Sequence, residues 1–337
     1  MDIKTRINNT FRQNKWNYYS DDLMRELNID NVNDCRKFIR RFFSVSGKSG
    51  ELNSIEEISL LSDERCQHIV YVFLLGASIY TENSSIQHLI NQQIEGYKEK
   101  FHCTSEVNFY FIWFLCCLFH DLGYVKEDSK VLVDRIDFQK GQTPVGVPKV
   151  YSRKTIESYW KYRQQNQNTN DHGIYAGIVM YKSLCEIRSV QEKDSWKNEK
   201  LSWEKELEHI YNVASWIVLC HNIWFGHKHK LDECELYEEF HLEKLLLEEW
   251  EYKIKLKNHP LFFFFCLIDT IEPIKKVKDL SLLEHIDISF GENELIITSN
   301  IKCGCGDAYL KSIFGLNDWL TRTKWKDNQV AIAINVK

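Results

Sequence analysis

Histidine and aspartate residues border the most apolar segments of this 337-residue chain. The clearest case is the pair His120-Asp121, which directly follows the apolar run Phe109 to Phe119. A buried imidazole beside a buried carboxylate is costly to desolvate unless a partner compensates for it, and a divalent cation does so. Similar apolar segments are bordered by four other candidates, namely His68, His172, His221 and Asp269. The residue types therefore predict a metal centre with six ligands.

The six candidate ligands are evenly spaced. The intervals are 52 residues from His68 to His120, 51 from Asp121 to His172, 49 to His221 and 48 to Asp269. Each interval has room for a helix, a connection and a return. Five helices packed as a bundle can therefore direct six side chains to one point.

Each candidate also has an ordinary structural explanation. A single His at a helix end more often caps the helix than binds a metal, and Asp269 can cap the segment that follows it. However, Asp121 and Asp269 both lie near the C-terminal ends of apolar stretches, where the helix dipole disfavours an anion. A nearby cation removes that penalty, so the six residues together favour the metal site. His227 or His229 could replace His221 if the helix there is longer, and His102, before the central helix, is a weaker alternative.

The composition predicts a mainly α protein. Apolar residues make up 44% of the chain and charged residues 27%, and only 4 Pro and 14 Gly interrupt it. Long stretches are therefore free of helix breakers. The net charge of -5 provides no general attraction to nucleic acid or to anionic lipid.

The cysteines and the N-terminal sequence predict a cytoplasmic protein without a membrane role. The 11 Cys are scattered, several lie in apolar runs, and their number is odd, which is typical of reduced core thiols. The first residues have no apolar signal segment, and no apolar stretch approaches the ~20 residues of a membrane span.

Three regions follow from the patterning. Residues 1–50 predict a helical extension, residues 51–280 a helical metal-binding domain, and residues 281–337 a small α+β unit. In the last region, a hairpin of Ile286 to Phe290 and Leu295 to Thr298 precedes a helix from Asp307 to Leu320 and a strand from Val330 to Val336, which gives a ββαβ order. The sequence Cys303-Gly-Cys305 favours a turn before that helix over a metal motif, because no second cysteine pair accompanies it.

At the ligand positions the sequence resembles the HD superfamily of metal-dependent phosphohydrolases. The family's order of His, His-Asp, His, His and Asp is present, in the contexts FHDLGY, NDHGIYAG and CLIDTIEP. The resemblance covers roughly residues 60–275. It implies a mainly α, HD-type helical bundle with the small C-terminal α+β appendage added to it.

The resemblance also implies a dinuclear centre. One ion would be held by His68, His120, Asp121 and Asp269, and the other by Asp121, His172 and His221, with Asp121 as the bridge. Two ions of this kind polarise a phosphoryl oxygen and activate a water for in-line attack. Imidazole and carboxylate ligands suit Mn, Fe, Co or Ni, with Mg as a further candidate. Asp121 and His120 would then be catalytic, and Lys126 would contact phosphate.

The expected substrate is a phosphorylated small molecule, most simply a nucleotide or a nucleotide-derived signal. Arg153 and Lys154 lie in a basic stretch with interleaved aromatic residues, and such a mixture can clamp phosphate and stack a base. The same stretch is equally explained as an amphipathic helix with a solvated basic face. Asn222, next to His221, is a further candidate for substrate binding.

Three other functions stay open. Oxygenases that resemble myo-inositol oxygenase use four His and two Asp to hold a di-iron centre for O2 chemistry. A non-catalytic nucleotide-sensing module is a second possibility, although such a module has no need for six metal ligands. A nuclease acting on single strands is disfavoured by the acidity of the chain. Nothing in the sequence specifies the oligomeric state.

Overall fold

The structure is a computed structural model that describes residues 1–14, 16, 26–44, 61–104, 107–125, 144–194, 207–247 and 254–334, with backbone only at 42–44 and 186–194. Within these ranges the chain forms twelve α-helices, a two-stranded parallel pair and a four-stranded antiparallel sheet. The prediction of a mainly α protein with a small C-terminal sheet is therefore confirmed.

Two N-terminal helices, α1 (Ile3–Gln13) and α2 (Val32–Ser44), pack against the longest fully described helix, α3 (Asp63–Glu82). Asp2 begins α1 by accepting a hydrogen bond from the Thr5 backbone N–H, and Ser62 begins α3 in the same way. From His68 to Tyr80 every residue of α3 is buried. The helix is therefore central to the bundle and carries its first candidate ligand inside it.

Four further helices belong to the bundle. After α4 (Ser84–Lys100), helix α5 (Phe109–Phe119) is buried at every position except Tyr110, as its unbroken apolar sequence predicts. Helix α7 (His172–Asp194) packs closely on α8 (Glu208–Cys220). Glycine allows this approach, since a Cβ on Gly177 would lie 2.6 Å from the Ser215 carbonyl oxygen.

The basic stretch predicted before His172 forms helix α6 (Arg153–Asn166). Its aromatic side chains Tyr159 and Trp160 are buried, whereas Lys154 and Lys161 are exposed. The observed pattern is that of an amphipathic helix with a basic outer face, which was one of the two explanations from the sequence.

After α8 the chain forms a short parallel pair and returns through the core. Strand β1 (Gly226–His227) pairs with β2 (Leu246–Leu247), with α9 (Leu231–Glu239) between them. Helices α10 (Pro260–Ile271) and α11 (Ile274–Val277) follow. Pro260 starts α10 at a position where its missing N–H costs no hydrogen bond.

The C-terminal unit differs from the predicted ββαβ order by one strand. Its elements are β3 (Ile286–Phe290), β4 (Glu294–Ser299), α12 (Gly304–Phe314), β5 (Thr323–Lys326) and β6 (Gln329–Ala333). The sheet order is β3-β4-β6-β5, antiparallel throughout. Strand β5 was missed because it is an edge strand with three of its four residues exposed, so it lacks the alternating apolar pattern of a half-buried strand.

The predicted helix Asp307 to Leu320 was also wrong at both ends. It begins earlier, at Gly304, and gives way to a 3-10 turn over Gly315–Asp318. The predicted last strand, Val330 to Val336, is observed as β6, and residues 335–337 lie outside the described part.

Cysteine pairing departs from the expectation at one place. Cys303 and Cys305 are joined by a disulfide at the start of α12, whereas the other nine cysteines are free. The turn predicted before this helix is present, and this local bond is an exception to the general expectation of reduced core thiols.

The N-terminus and the C-terminal sheet are in direct contact. The Ile288 backbone N–H donates to the Met1 carbonyl oxygen at 3.1 Å, and Asp2 bridges to Asp287 of β3. The buried apolar residues of α1, the helical bundle and the sheet belong to one continuous core. None of the helices in the described part combines the length and apolarity that crossing a membrane requires.

Candidate metal centre

The six predicted ligands lie at the ends of five helices. His68 is in the second turn of α3, His120 ends α5, and His172 is the first residue of α7. His221 ends α8, and Asp269 is in the last turn of α10. Five of the six residues are buried, and the Asp269 side chain is 19% exposed to solvent. The bundle therefore brings the polar ends of its most apolar helices together.

Three of these residues form the most compact group of donor atoms. His68 Nε2 lies 3.1 Å from His120 Nε2 and 3.0 Å from Asp269 Oδ1. His120 Nε2 lies 3.4 Å from the same oxygen. Among the described residues, His68, His120 and Asp269 are the set whose ligand atoms all lie within 4.8 Å of one another.

The hydrogen bonds of the two imidazoles define which nitrogen carries the proton. His68 Nδ1 lies 2.5 Å from the Glu272 carboxylate, and His120 Nδ1 lies 2.7 Å from the Cys117 carbonyl oxygen. Both partners accept only, so each Nδ1 donates, and in a neutral ring Nε2 then carries a lone pair. With both rings neutral, two nitrogen lone pairs and a carboxylate oxygen converge, and a divalent cation could bind among them.

The donor distances fit a single divalent ion. Two ligand atoms that each lie about 2.1 Å from one ion, at an angle of roughly 90–110°, are about 3.0–3.4 Å apart. The three separations in the His68, His120 and Asp269 group cover this range. The donor set of imidazole nitrogen and carboxylate oxygen also suits first-row divalent ions. The site therefore fits a metal ion, without indicating which ion or how many.

Glu272 supports the site from behind His68. It is buried, its Oε2 accepts from His68 Nδ1, and its Oε1 accepts from the Ile274 backbone N–H at 3.0 Å. A carboxylate behind a ligating imidazole holds the ring orientation and raises its basicity. Burial and Lys275 lower the pKa of His68, but Glu272 and Asp269 more than offset this, so the pKa is raised overall.

Asp121 lies beside this group and faces two cations. Its Oδ1 is 3.4 Å from His120 Nε2, while Lys275 Nζ approaches its Oδ2 to 3.0 Å and Arg65 lies 3.3 Å away. Burial raises the pKa of Asp121, but electrostatic interactions with His120, Lys275 and the other nearby imidazoles outweigh burial and hold the pKa well below its usual range. The carboxylate is therefore ionised although it has no exposed surface.

His172 and His221 lie on the other side of His120. The His221 ring centroid is 5.6 Å from that of His120 and 5.2 Å from that of His172. His221 Nδ1 lies 2.5 Å from the Val218 carbonyl oxygen, so its Nε2 carries a lone pair, as in His68 and His120. Burial lowers the pKa of His221 to about 4 and that of His172 well below its usual value, so both rings are neutral near pH 7.

His172 differs from the other three imidazoles in its hydrogen bonding. The Trp224 indole N–H donates to Asn222 Oδ1 at 3.1 Å, which turns the Asn222 amide nitrogen toward His172 Nδ1 at 3.3 Å. The amide nitrogen can only donate, so His172 Nδ1 accepts and its Nε2 holds the proton in the neutral ring. The second predicted ion site is therefore less prepared for a metal than the first.

The glycine of the FHDLG sequence has a clear steric purpose. A Cβ on Gly123 would lie 1.9 Å from the His172 carbonyl oxygen. The absence of a side chain at this position therefore lets the start of α7 approach the turn that carries His120 and Asp121. Tyr124 then stacks on His172 with ring centroids 3.8 Å apart, and the Arg65 guanidinium lies over the Tyr124 ring.

The remaining predicted site residues are placed differently. Lys126 lies outside the described residues. Arg153 donates to Glu157 Oε1 at 3.0 Å on α6, and Lys154 is exposed on the same helix. Their role in substrate binding stays a prediction, whereas Asn222 contacts His172 as described above.

Sequence reasoning missed three residues around the cluster: Glu272, Lys275 and Arg65. Local signals for them exist in hindsight. Arg65 precedes His68 by three residues and so shares its helix face. Glu272 and Lys275 follow Asp269 at intervals of three, but Pro273 ends the helix between them, and periodicity cannot place residues beyond such a break.

A cavity of about 380 Å³ borders the cluster. Its lining includes His221 and Asp269, the nearby Asn222 and Trp224, and from the C-terminal unit Ser312, Gly315, Leu316, Asp318 and Trp319. This volume is within the usual range for small-molecule sites. The candidate centre is therefore accessible to a ligand of moderate size.

Comparison with known proteins identifies no relative of this chain. No family model matches the chain, and neither the curated proteins nor the solved structures compared with it give a match.

Proposed function

We propose that this chain is an HD-type, metal-dependent phosphohydrolase that cleaves a phosphoester in a nucleotide or a nucleotide-derived small molecule. The observation that carries the proposal is the convergence of His68, His120 and Asp269, with ligand atoms 3.0–3.4 Å apart, next to the buried Asp121. A buried group of His and Asp residues does not by itself specify a reaction. The charged groups around it favour one class of substrate and reaction over the others.

The charges beside Asp121 favour an anionic substrate. Lys275 Nζ lies 3.0 Å from Asp121 Oδ2 and 3.7 Å from Asp269 Oδ1, and Arg65 lies on the same side of Asp121. Both cations are partly exposed, at 29% and 24%. When an ion neutralises the carboxylates, these side chains become available to bind phosphoryl oxygens. An uncharged substrate would not need them, which favours the phosphohydrolase over an oxygenase.

The residues divide the work as follows. His68, His120, Asp121 and Asp269 would hold one divalent ion, and Asp121, His172 and His221 a second, with Mn, Fe, Co, Ni or Mg as candidates. Bound metal would supply Lewis-acid polarisation and a water of lowered pKa. Glu272 keeps His68 in the ligating tautomer, and Lys275 and Arg65 neutralise the phosphoryl group and orient it toward the ligands.

A metal-supplemented substrate screen tests the proposal. Metal-free protein would be reloaded separately with Mn, Co, Ni, Fe and Mg and supplied with linear and cyclic nucleotides, with phosphate release and mass spectrometry as readouts. We expect metal-dependent hydrolysis of at least one phosphoester. Obligatory iron, O2 uptake and a mixed-valence EPR signal without hydrolysis would instead identify an oxygenase.

Asp121→Ala tests whether the activity belongs to this centre. We expect loss of turnover and of at least one equivalent of bound metal, with the far-ultraviolet circular dichroism largely unchanged. His88→Ala, which changes an exposed histidine, is the control and should keep both. Asp121→Asn retains the shape of the side chain and separates loss of charge from loss of packing. Full activity in both Asp121 variants would contradict the proposal.

A further inference from the structure

The cavity beside the candidate metal centre is built from two distant parts of the chain. His221 and Asp269 line it together with Trp224, which lies on the loop after α8. The opposite wall comes from the C-terminal unit, where Leu316 and Trp319 line it. A ligand with one end near the metal ligands would therefore place its other end between the bundle and this unit.

Trp224 is exposed and yet firmly held. Its side chain has 48% exposure, while its indole N–H donates to Asn222 at 3.1 Å and its backbone N–H donates to the Tyr159 hydroxyl at 3.3 Å. The Tyr237 hydroxyl donates to its carbonyl oxygen at 3.0 Å, and the Arg163 guanidinium lies 4.8 Å from its ring. A large aromatic ring fixed in this way is a preorganised surface for stacking.

Charged and titratable residues of the cavity lining are paired with one another. Lys230 Nζ lies 3.0 Å from Glu233, and His227 Nε2 lies 3.7 Å from Asp318 of the C-terminal unit. A second phosphate would have to disrupt these pairs and approach two carboxylates. The cavity around these pairs therefore suits an uncharged, polar group, whereas Lys275 and Arg65, the cations next to Asp121, are not part of its lining among the described residues.

We propose that the cavity binds an uncharged heteroaromatic ring, a nucleobase in the proposed substrate, which stacks on Trp224 and is enclosed by Trp319 of the C-terminal unit. The identity of the ring as a nucleobase rests on the proposed function. The C-terminal unit is then the part of the molecule that selects the base. The phosphoester end is bound at the metal ligands, where Lys275 and Arg65 lie.

Calorimetric titration with nucleosides tests this site without any turnover, because nucleosides carry no phosphate. Adenosine, guanosine, cytidine and uridine would each be titrated into the wild-type protein. We expect saturable binding of at least one. Trp224→Ala and Trp319→Ala should each weaken it about tenfold or more, and Trp224→Phe should retain most of it, since stacking on a planar ring carries the affinity.

Trp325→Ala is the matched control. Trp325 is also an exposed tryptophan of the C-terminal unit, with 38% exposure, but it lies on the edge strand β5 and not in the cavity lining. It should bind nucleosides like the wild type. The proposal is overturned if no nucleoside binds saturably, or if Trp224→Ala and Trp325→Ala have equal affinity.

Kinetics separate failure of this inference from failure of the proposed function. A nucleoside monophosphate and ribose 5-phosphate would be compared as substrates. Trp224→Ala should raise KM about tenfold for the nucleotide and leave ribose 5-phosphate nearly unchanged. Equal effects on both substrates would overturn the base site while leaving the hydrolase intact. Nucleoside binding that is lost in Trp224→Ala, without hydrolysis of any phosphoester, would support the base site and overturn the hydrolase.

Discussion

Glu272 would not bind a metal itself, but it controls the tautomer of the candidate ligand His68. Its carboxylate lies 2.5 Å from His68 Nδ1, and this hydrogen bond determines which nitrogen of His68 is available as a ligand. The same arrangement, with a backbone carbonyl in place of the carboxylate, holds His120 and His221. The tautomers of three ligands are therefore set by groups behind them.

We predict that Glu272→Gln lowers the affinity for the first divalent ion by about 10–100-fold, because an amide no longer guarantees the donor role of Nδ1. Competition with a metal-sensitive dye measures this directly. Glu284→Gln, at an exposed carboxylate that pairs with Lys4, is the control. Unchanged affinity in Glu272→Gln would show that His68 is oriented by packing alone.

His172 should distinguish the two predicted ions. Its Nδ1 faces the Asn222 amide, so a metal at its Nε2 has to displace a proton, whereas the neutral tautomers of the other three imidazoles carry their proton on Nδ1. Calorimetric titration with Mn²⁺ should therefore show a tight phase and a weaker phase. We expect His172→Ala to remove the weaker phase alone. Loss of both phases, or a single phase in the wild type, would contradict two separate sites.

The start of α7 is positioned by its contact with the turn after α5. That contact depends on Gly123, since a Cβ there would lie 1.9 Å from the His172 carbonyl oxygen. The neighbouring helix α8 is then held close to α7 by a second glycine, Gly177. Two glycines thus define how near His172 and His221 come to the His120-Asp121 turn.

We predict that Gly123→Ala displaces the first turn of α7, removes the weaker metal-binding phase and lowers the melting temperature. Gly96→Ala is the matched control, because Gly96 lies in helix α4 and a Cβ there meets no atom within 4 Å. It should stabilise the protein by about 0.5–1 kcal/mol through helix propensity. Melting curves and the Mn²⁺ titration together measure both effects. Equal melting temperatures in the two variants would contradict the steric argument.

Arg6 links helices α1 and α3 to the C-terminal sheet. This arginine of α1 is 2% exposed, forms an ion pair with Glu82 at 2.5 Å and donates to Ser78 of α3. It also donates to the Ile288 carbonyl oxygen of β3 at 3.0 Å. One side chain therefore links the N-terminal helix, the central helix of the bundle and the C-terminal sheet.

We predict that Arg6→Met lowers the free energy of unfolding by about 2 kcal/mol or more, because buried hydrogen-bonding partners are left unpaired. Lys4→Met is the control, since Lys4 lies on the same helix as Arg6 and makes only a surface ion pair, with Glu284, whose loss should cost at most about 1 kcal/mol. Urea denaturation measures both. Equal losses in the two variants would show that Arg6 does not couple these elements.

Local patterns in the sequence were sufficient to find the helices that carry the ligands. Apolar runs such as Phe109 to Phe119 determine burial, and a His or Asp at the end of such a run is conspicuous without any knowledge of the fold. The same reasoning missed β5, because an exposed edge strand has little apolar pattern to detect. It also misplaced both ends of α12, where the 3-10 turn replaces the last helical residues.

The order and approximate positions of the six candidate ligands were thus determined by sequence alone, because burial and helix ends depend on neighbouring residues. Tertiary packing decided the partners. Glu272 meets His68 across 204 residues and Lys275 meets Asp121 across 154 residues. Packing likewise decided that the C-terminal unit lines the cavity next to His221. Contacts between residues so far apart in sequence depend on how the helices pack against one another, and helix packing produces no periodic pattern in the sequence.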